Sequence, residues 1–104
     1  DKSLSQKLIQ ASETCGDPLW ELPLWKNYAS LLNSQHADLS NIGTGSFGGA
    51  ITAALFLQKF VGKDTPWIHI DMMSWTHGSI FSSYQGGEAM AVRALCLFLK
   101  EISK

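Results

Sequence analysis

The stretch GGAITAALFLQKFV, residues 48–61, decides the fold class of this chain. From Ala50 to Val61 it is apolar on nearly every face, a pattern that is typical of a buried helix. Gly62 predicts where that helix ends. We expect its large and small apolar side chains to form the centre of the core: Ala50, Ile51, Ala54, Leu55, Leu57, Phe60 and Val61.

The residues that follow predict a strand. In Trp67–Met72 the apolar residues Ile68, Ile70 and Met72 alternate with Trp67, His69 and Asp71. We expect Ile68 and Ile70 to pack against the buried helix. Residues 74–87 are rich in Ser, Gly and His and predict a loop.

Helical patterns lie on both sides of this centre. Asp1–Cys15 is amphipathic, with Ser3 as the expected cap, and Pro23 opens a second helix that reaches Asn33. Residues 88–104 predict the last helix, with Glu88 in its first turn and Lys100 in its last. The predicted fold class is α/β, with helices packed on a short strand of a mixed sheet. One strand cannot make a sheet, so we expect only a portion of a larger fold.

Composition excludes several classes of protein. The chain has 104 residues, 45% of them hydrophobic and 16% charged, which favours a folded domain over disorder. The net charge of -1 argues against a nucleic-acid binder, and no uninterrupted apolar run is long enough to cross a membrane. Two cysteines are too few for a disulfide scaffold and indicate a reducing compartment. Because the chain begins with Asp1 rather than methionine, we expect a trimmed start or a piece of a larger protein.

The motifs for chemistry are weak. His69 and Asp71 share one face of the predicted strand, and with His36, Asp38 and His77 a metal site is conceivable; the alternative is a hydrogen-bonded polar seam beside the core. Glycines at 43, 45, 48 and 49 precede the buried helix but match no phosphate-binding motif. Cys15 and Cys96 lie among apolar neighbours and predict inert packing. Arg93 is either a buried structural partner or a site contact.

Several blocks in order resemble one known family. The blocks are DPLWELPLWKNY (17–28), ADLSNIG (37–43), GGAITAALFLQKFV (48–61), PWIHID (66–71) and GGEAMAVRALCLFL (86–99). At this spacing the chain is similar to the C-terminal part of the catalytic domain of the leucyl aminopeptidases, also called cytosol aminopeptidases. The resemblance covers nearly the whole chain, and the domain fragment that it implies is 1–104.

The resemblance implies a metalloexopeptidase that removes the N-terminal residue from peptides. Such enzymes use two divalent metal ions, zinc or manganese, to polarise the scissile carbonyl and supply a bridging hydroxide. They are cytoplasmic hexamers. The resemblance implies neither a nucleic-acid partner nor a membrane.

Departures from the family pattern restrict what this chain can do. The signature NTDAEGR and the upstream segment with the metal ligands and the catalytic lysine are absent, so no catalytic residue and no metal ligand is carried over. The residues that the resemblance assigns to the substrate pocket are Asn41 and Ile42 for the second substrate residue, and Met73, Ser74, Trp75 and Thr76 for the first. Met73 is larger than the residue that the family often has there, and the alternative is that Met73 points into the core.

Two main hypotheses follow. The first is a fragment that supplies core and pocket wall to an aminopeptidase but is inactive alone. The second is a stand-alone interaction or assembly module of the same fold that does no chemistry. A small phosphate- or nucleotide-binding domain is a third possibility.

Overall fold

The computed structural model describes residues 1–79 and 82–103. These residues fall into two compact units, one formed by Asp1–Glu21 with Ile70–Lys104 and the other by Leu22–His69. Each unit has a small core of its own. The longest helix has 13 residues, and within the described residues none is long and apolar enough to cross a membrane.

The first unit begins with helix α1, Lys2–Thr14. Its cap is Asp1, whose Oδ1 accepts a hydrogen bond from the Leu4 N–H at 3.0 Å, so the prediction of a Ser3 cap was wrong by two residues. The predicted apolar stripe is present, because Leu8 and Ala11 are buried. The helix ends where Gly16 takes a left-handed φ of 65°.

Helix α3, Val92–Ile102, packs against α1 in the same unit. It buries Ala94 and Phe98 on the face that meets α1. The predicted start near Glu88 was wrong, because Ala91 has a left-handed φ of 63° and breaks the helical path just before Val92. Lys100 lies in the last turn, as predicted.

Two short strands complete the first unit, and they form where the sequence predicted a loop. Strand β1, Trp75–Ser79, pairs antiparallel with β2, Ser82–Gly87, and Trp75 lies opposite Gly87. Small side chains weaken strand propensity, but the two segments are close in sequence, which keeps the entropic cost of pairing them low.

The strand predicted at Trp67–Met72 was wrong. This segment has no regular secondary structure and belongs to no ladder among the described residues. Its apolar residues alternate in the sequence, yet a strand also needs a neighbour to receive its backbone hydrogen bonds.

The second unit contains a 3₁₀ helix, Lys26–Leu32, where an α-helix was predicted after Pro23. Asn33 N–H donates to Ser30 O at 3.2 Å, three residues back, which is the 3₁₀ pattern. The following loop returns to this helix, because Ser40 N–H donates to Leu32 O at 2.8 Å and Thr44 N–H to Leu31 O at 3.0 Å. These bonds satisfy carbonyl groups that the helix end leaves without partners.

Helix α2, Gly49–Gln58, packs against the 3₁₀ helix. It buries Ala54 and Leu55, as predicted, but Leu57 is 44% exposed and Phe60 is 71% exposed. The prediction that α2 is buried on nearly every face was therefore wrong. Within the second unit, the other residues cover only one side of the helix. The helix also ends at Gln58, so Phe60 and Val61 lie in the turn beyond it.

Candidate substrate-pocket segment

The segment Met73–Thr76 contains a sharp backbone turn and the first two residues of β1. Ser74 adopts a left-handed φ of 52°, which is uncommon for a residue with a side chain. Its carbonyl oxygen accepts a hydrogen bond from the Glu88 N–H at 3.0 Å, just beyond the end of β2. The turn is thus held in place by the hairpin and by the residue that follows it.

The four residues of this segment differ in exposure. Met73 is 64% exposed and Trp75 is exposed as well, whereas Thr76 is buried. The Thr76 Oγ1 accepts a hydrogen bond from the Gly78 N–H at 3.3 Å. Within its unit, the segment therefore exposes the side chains of Met73 and Trp75 and buries that of Thr76.

Asn41 and Ile42 lie in the second unit, in the loop that returns to the 3₁₀ helix. Both are exposed. The Ser40 hydroxyl donates to the Ile42 carbonyl at 2.7 Å, which shapes the backbone beside them. The six predicted pocket residues are therefore divided, four in the first unit and two in the second.

The predicted metal alternative has no support in the side-chain geometry. In residues 1–79 and 82–103, no three His, Cys, Asp or Glu side chains are placed to hold a metal ion. The His69 Nε2 is buried, and within the same described ranges it has no hydrogen-bond partner. The hydrogen-bonded polar seam that was the alternative for His69 is therefore not formed at this atom.

The cysteines occupy two different environments. The half-buried Cys15 donates its thiol to the Ser12 carbonyl at 3.7 Å, whereas Cys96 is exposed on α3. Both cysteines are among the described residues, and neither forms a disulfide. The prediction of inert packing among apolar neighbours was wrong for Cys96.

Asp17 is the polar residue that the sequence interpretation missed. The sequence singles out no role for it, yet it is 6% exposed and accepts three backbone hydrogen bonds from the start of α3. Its Oδ1 accepts from Ala91 N–H at 3.1 Å, and its Oδ2 accepts from Arg93 N–H at 3.0 Å and Ala94 N–H at 3.2 Å. The carboxylate thus caps a helix whose N-cap residue, Ala91, lies 74 residues later in the chain.

The charge state of Asp17 follows from these contacts. Burial alone raises the pKa of a carboxyl group, but the three N–H donors and the nearby Arg93 guanidinium outweigh it, so the pKa of Asp17 lies below its usual value. Arg93 itself is exposed, and its Nη2 donates to the Gly16 carbonyl at 3.2 Å. The prediction of a buried structural partner was therefore wrong in its burial, although Arg93 does make a hydrogen bond to the backbone of the Asp17 segment.

One signal in the sequence points to this contact. The residues before α3 are Glu88, Ala89, Met90 and Ala91, and Ala91, at the cap position, has no polar side chain. A helix start without a cap of its own needs an acceptor from another part of the chain.

Comparison with known proteins decides the family. A sequence model for the catalytic domain of the cytosol aminopeptidase family matches residues 1–96. This chain belongs to the cytosol aminopeptidase family. The resemblance inferred from the sequence blocks is thereby confirmed.

Similar proteins agree with this assignment. The chain is 42% identical to a probable cytosol aminopeptidase of Roseiflexus castenholzii, over 97% of this chain and 21% of that protein. It is 43% identical to a probable cytosol aminopeptidase of Geobacter sulfurreducens, over 96% of this chain and 20% of that protein. The chain therefore spans about a fifth of the length of the curated relatives that it matches.

A solved structure confirms the fold class. The crystal structure of a cytosol aminopeptidase from Coxiella burnetii superposes with a TM-score of 0.90 at 45% sequence identity. The superposition covers 100% of this chain and 23% of that one. The mixture of helices with a small antiparallel sheet is thus the fold of one portion of an aminopeptidase.

Proposed function

We propose that this chain is the C-terminal part of the catalytic domain of a metallo-aminopeptidase, which hydrolyses the N-terminal residue from peptides. The observation that carries the proposal is the catalytic-domain match over residues 1–96. The superposition of the entire chain on a cytosol aminopeptidase supports it. The proposed enzyme is a hydrolase that acts in the cytoplasm, in keeping with the names of its relatives.

In this proposal the chain forms part of the wall of the substrate pocket. Met73, Ser74, Trp75 and Thr76 contact the first side chain of the peptide, and Asn41 and Ile42 contact the second. Support comes from the exposure of Met73 and Trp75 next to a turn that is fixed by a backbone hydrogen bond. An exposed methionine and tryptophan offer an apolar, adaptable surface to an apolar substrate side chain.

The family resemblance implies two divalent ions, manganese or zinc, in the complete enzyme. The donor side chains of this chain do not fit that role, because within the described residues no three of them converge. We therefore assign no hydrolytic step to residues of this chain. Their part is to bind and orient the peptide, and to exclude water from its first side chain.

We also propose that the complete enzyme assembles as a hexamer. Trp20 in the first unit is 90% exposed, and Trp25 and Phe47 in the second are exposed too. Large apolar side chains at a surface mark places where other protein surfaces pack. The upstream part of the catalytic domain and neighbouring subunits are the partners that we propose for these side chains.

The test compares the complete protein encoded with this chain against the 104-residue chain alone. We expect the complete protein to release leucine from a leucyl amide, to lose this activity to a chelator and to regain it with manganese or zinc. We expect no release by the 104-residue chain. A metal-loaded complete protein without activity would instead favour an interaction or assembly module that does no chemistry.

A further inference from the structure

The start of α3 is held by a distant carboxylate rather than by its own residues. The two Oδ atoms of Asp17 accept hydrogen bonds from the N–H groups of Ala91, Arg93 and Ala94, at 3.0 to 3.2 Å. Arg93 adds a bond from its guanidinium to the Gly16 carbonyl. Gly16 and Asp17, which are adjacent in sequence, thus both bind the start of α3 and fix its position.

That short segment is itself fixed to α1. Asp17 N–H donates to the Ser12 carbonyl at 3.0 Å, and the fully buried Ser12 hydroxyl accepts from Leu19 N–H at 3.3 Å. Asp17 therefore has little freedom to move. A rigid acceptor transmits its position to the groups that donate to it.

The residue before α3 needs this support. Ala91 is buried and has a left-handed φ of 63°, which costs about 1–2 kcal/mol for a residue with a Cβ. Backbone strain of this kind persists only where the surrounding contacts determine it. The Asp17 bond to the Ala91 N–H is one such contact.

From Ala91 the backbone leads directly to the proposed pocket wall. Glu88, three residues earlier, donates its N–H to the Ser74 carbonyl, and Gly87 is opposite Trp75 in the hairpin. Any shift of the α3 start therefore acts on the backbone that holds residues 73–76.

We propose that Asp17 is a positioning residue for the pocket wall, acting through Ala91 and Glu88 on the turn at Ser74. It sets where Met73 and Trp75 stand against the first side chain of the substrate. This inference rests on the proposed function, in which residues 73–76 form that wall.

The experiment replaces Asp17 with Asn in the complete enzyme that contains this chain. Asn keeps one acceptor oxygen but loses the charge and places an NH₂ group against N–H donors. The control is Asp64→Asn, the same chemical change at an exposed site in the other unit. The kcat and KM are measured for leucyl, phenylalanyl and alanyl amides, together with Met73→Ala as a variant of the wall itself.

A loosened wall discriminates less between first side chains. For Asp17→Asn we expect the ratio of the best to the worst kcat/KM among the three amides to shrink roughly threefold to tenfold, mainly through KM. We expect kcat to stay within about twofold, and Asp64→Asn to match the unchanged enzyme. A merely structural role would lower kcat equally for all three substrates and leave the ratio unchanged, which would overturn the proposal.

Two further arms keep the result unambiguous. If Met73→Ala changes the ratio and Asp17→Asn does not, the pocket assignment stands and the role of Asp17 is refuted. If Met73→Ala leaves the ratio unchanged, the pocket assignment itself fails and the role of Asp17 fails with it. Should Asp17→Asn not fold, Arg93→Met removes the exposed bond to Gly16 and the positive charge beside Asp17. It is expected to shrink the ratio in the same direction, and an unchanged ratio refutes the proposal.

Discussion

The ring of Tyr28 lies directly against the backbone of Gly48. A Cβ at position 48 would stand 2.6 Å from the Tyr28 Cε2, and Gly48 also has a left-handed φ of 71°. The two residues join the 3₁₀ helix to the start of α2, and only glycine meets both requirements.

We expect Gly48→Ala to lower the free energy of unfolding by about 2 kcal/mol or more, because the new methyl group meets the ring and the left-handed backbone. Gly49→Ala is the matched control, since a Cβ there meets nothing within 4 Å and alanine is the better helix former. Urea denaturation of both variants measures the difference. Equal stability of the two would mean that the ring and glycine are not in contact.

Leu55 and Leu57 offer a second matched pair within α2. Leu55 is 5% exposed and Leu57 is 44% exposed, so Leu55→Ala leaves a cavity and Leu57→Ala does not. We expect a loss of about 2–4 kcal/mol for Leu55→Ala and less than about 1 kcal/mol for Leu57→Ala. If the two variants lose similar amounts of stability, Leu57 is as buried as Leu55, and the sequence-based prediction of a fully buried α2 is right.

The capping role of Asp17 predicts a dependence of stability on pH. Its pKa is lower in the folded than in the unfolded state, where it is about 3.9. The stabilisation is therefore complete above the unfolded value and is lost as the pH falls through the folded one. We measure Tm by thermal unfolding at a series of pH values below about 4. We expect Tm to depend less steeply on pH in Asp17→Asn than in the unchanged protein. Asp64→Asn should show the same slope of Tm against pH as the unchanged protein. If both variants show the same slope, Asp17 is not the cause of the pH dependence.

The proposed pocket predicts a change in specificity for Met73→Ala in the complete enzyme. Methionine fills space that alanine leaves open, so we expect the turnover of phenylalanyl relative to alanyl substrates to rise, within the roughly 10- to 200-fold that a hydrophobic pocket can discriminate. Because Met73 is mostly exposed in its unit, we expect little loss of stability. An unchanged substrate ratio with lowered stability would instead mean that Met73 packs in the core.

The sequence predicts the helices of this chain better than its strands. The apolar period of α1 and the glycines around α2 report local requirements, and both helices form close to the predicted bounds. The alternation in Trp67–Met72 predicted a strand that does not form among the described residues, because pairing depends on a neighbour that no local pattern encodes.

The candidate site follows the same division. The residues of the pocket wall came from the resemblance alone, because exposure and backbone turns at positions such as Ser74 have no signature in composition or spacing. Asp17 was missed because its partners lie more than 70 residues away, so no window of sequence contains both sides of the contact.

The distance between Asp17 and its donors also sets an order of events during synthesis. At 5–20 residues per second, the ribosome completes Asp17 roughly 4 to 15 s before it reaches Ala91. In that interval α1 can form and unfold many times, while the Asp17 carboxylate is hydrated by water. The first turn of α3 thus acquires its cap from a segment that was synthesised earlier. When α3 emerges, the residue that caps it is already part of the chain.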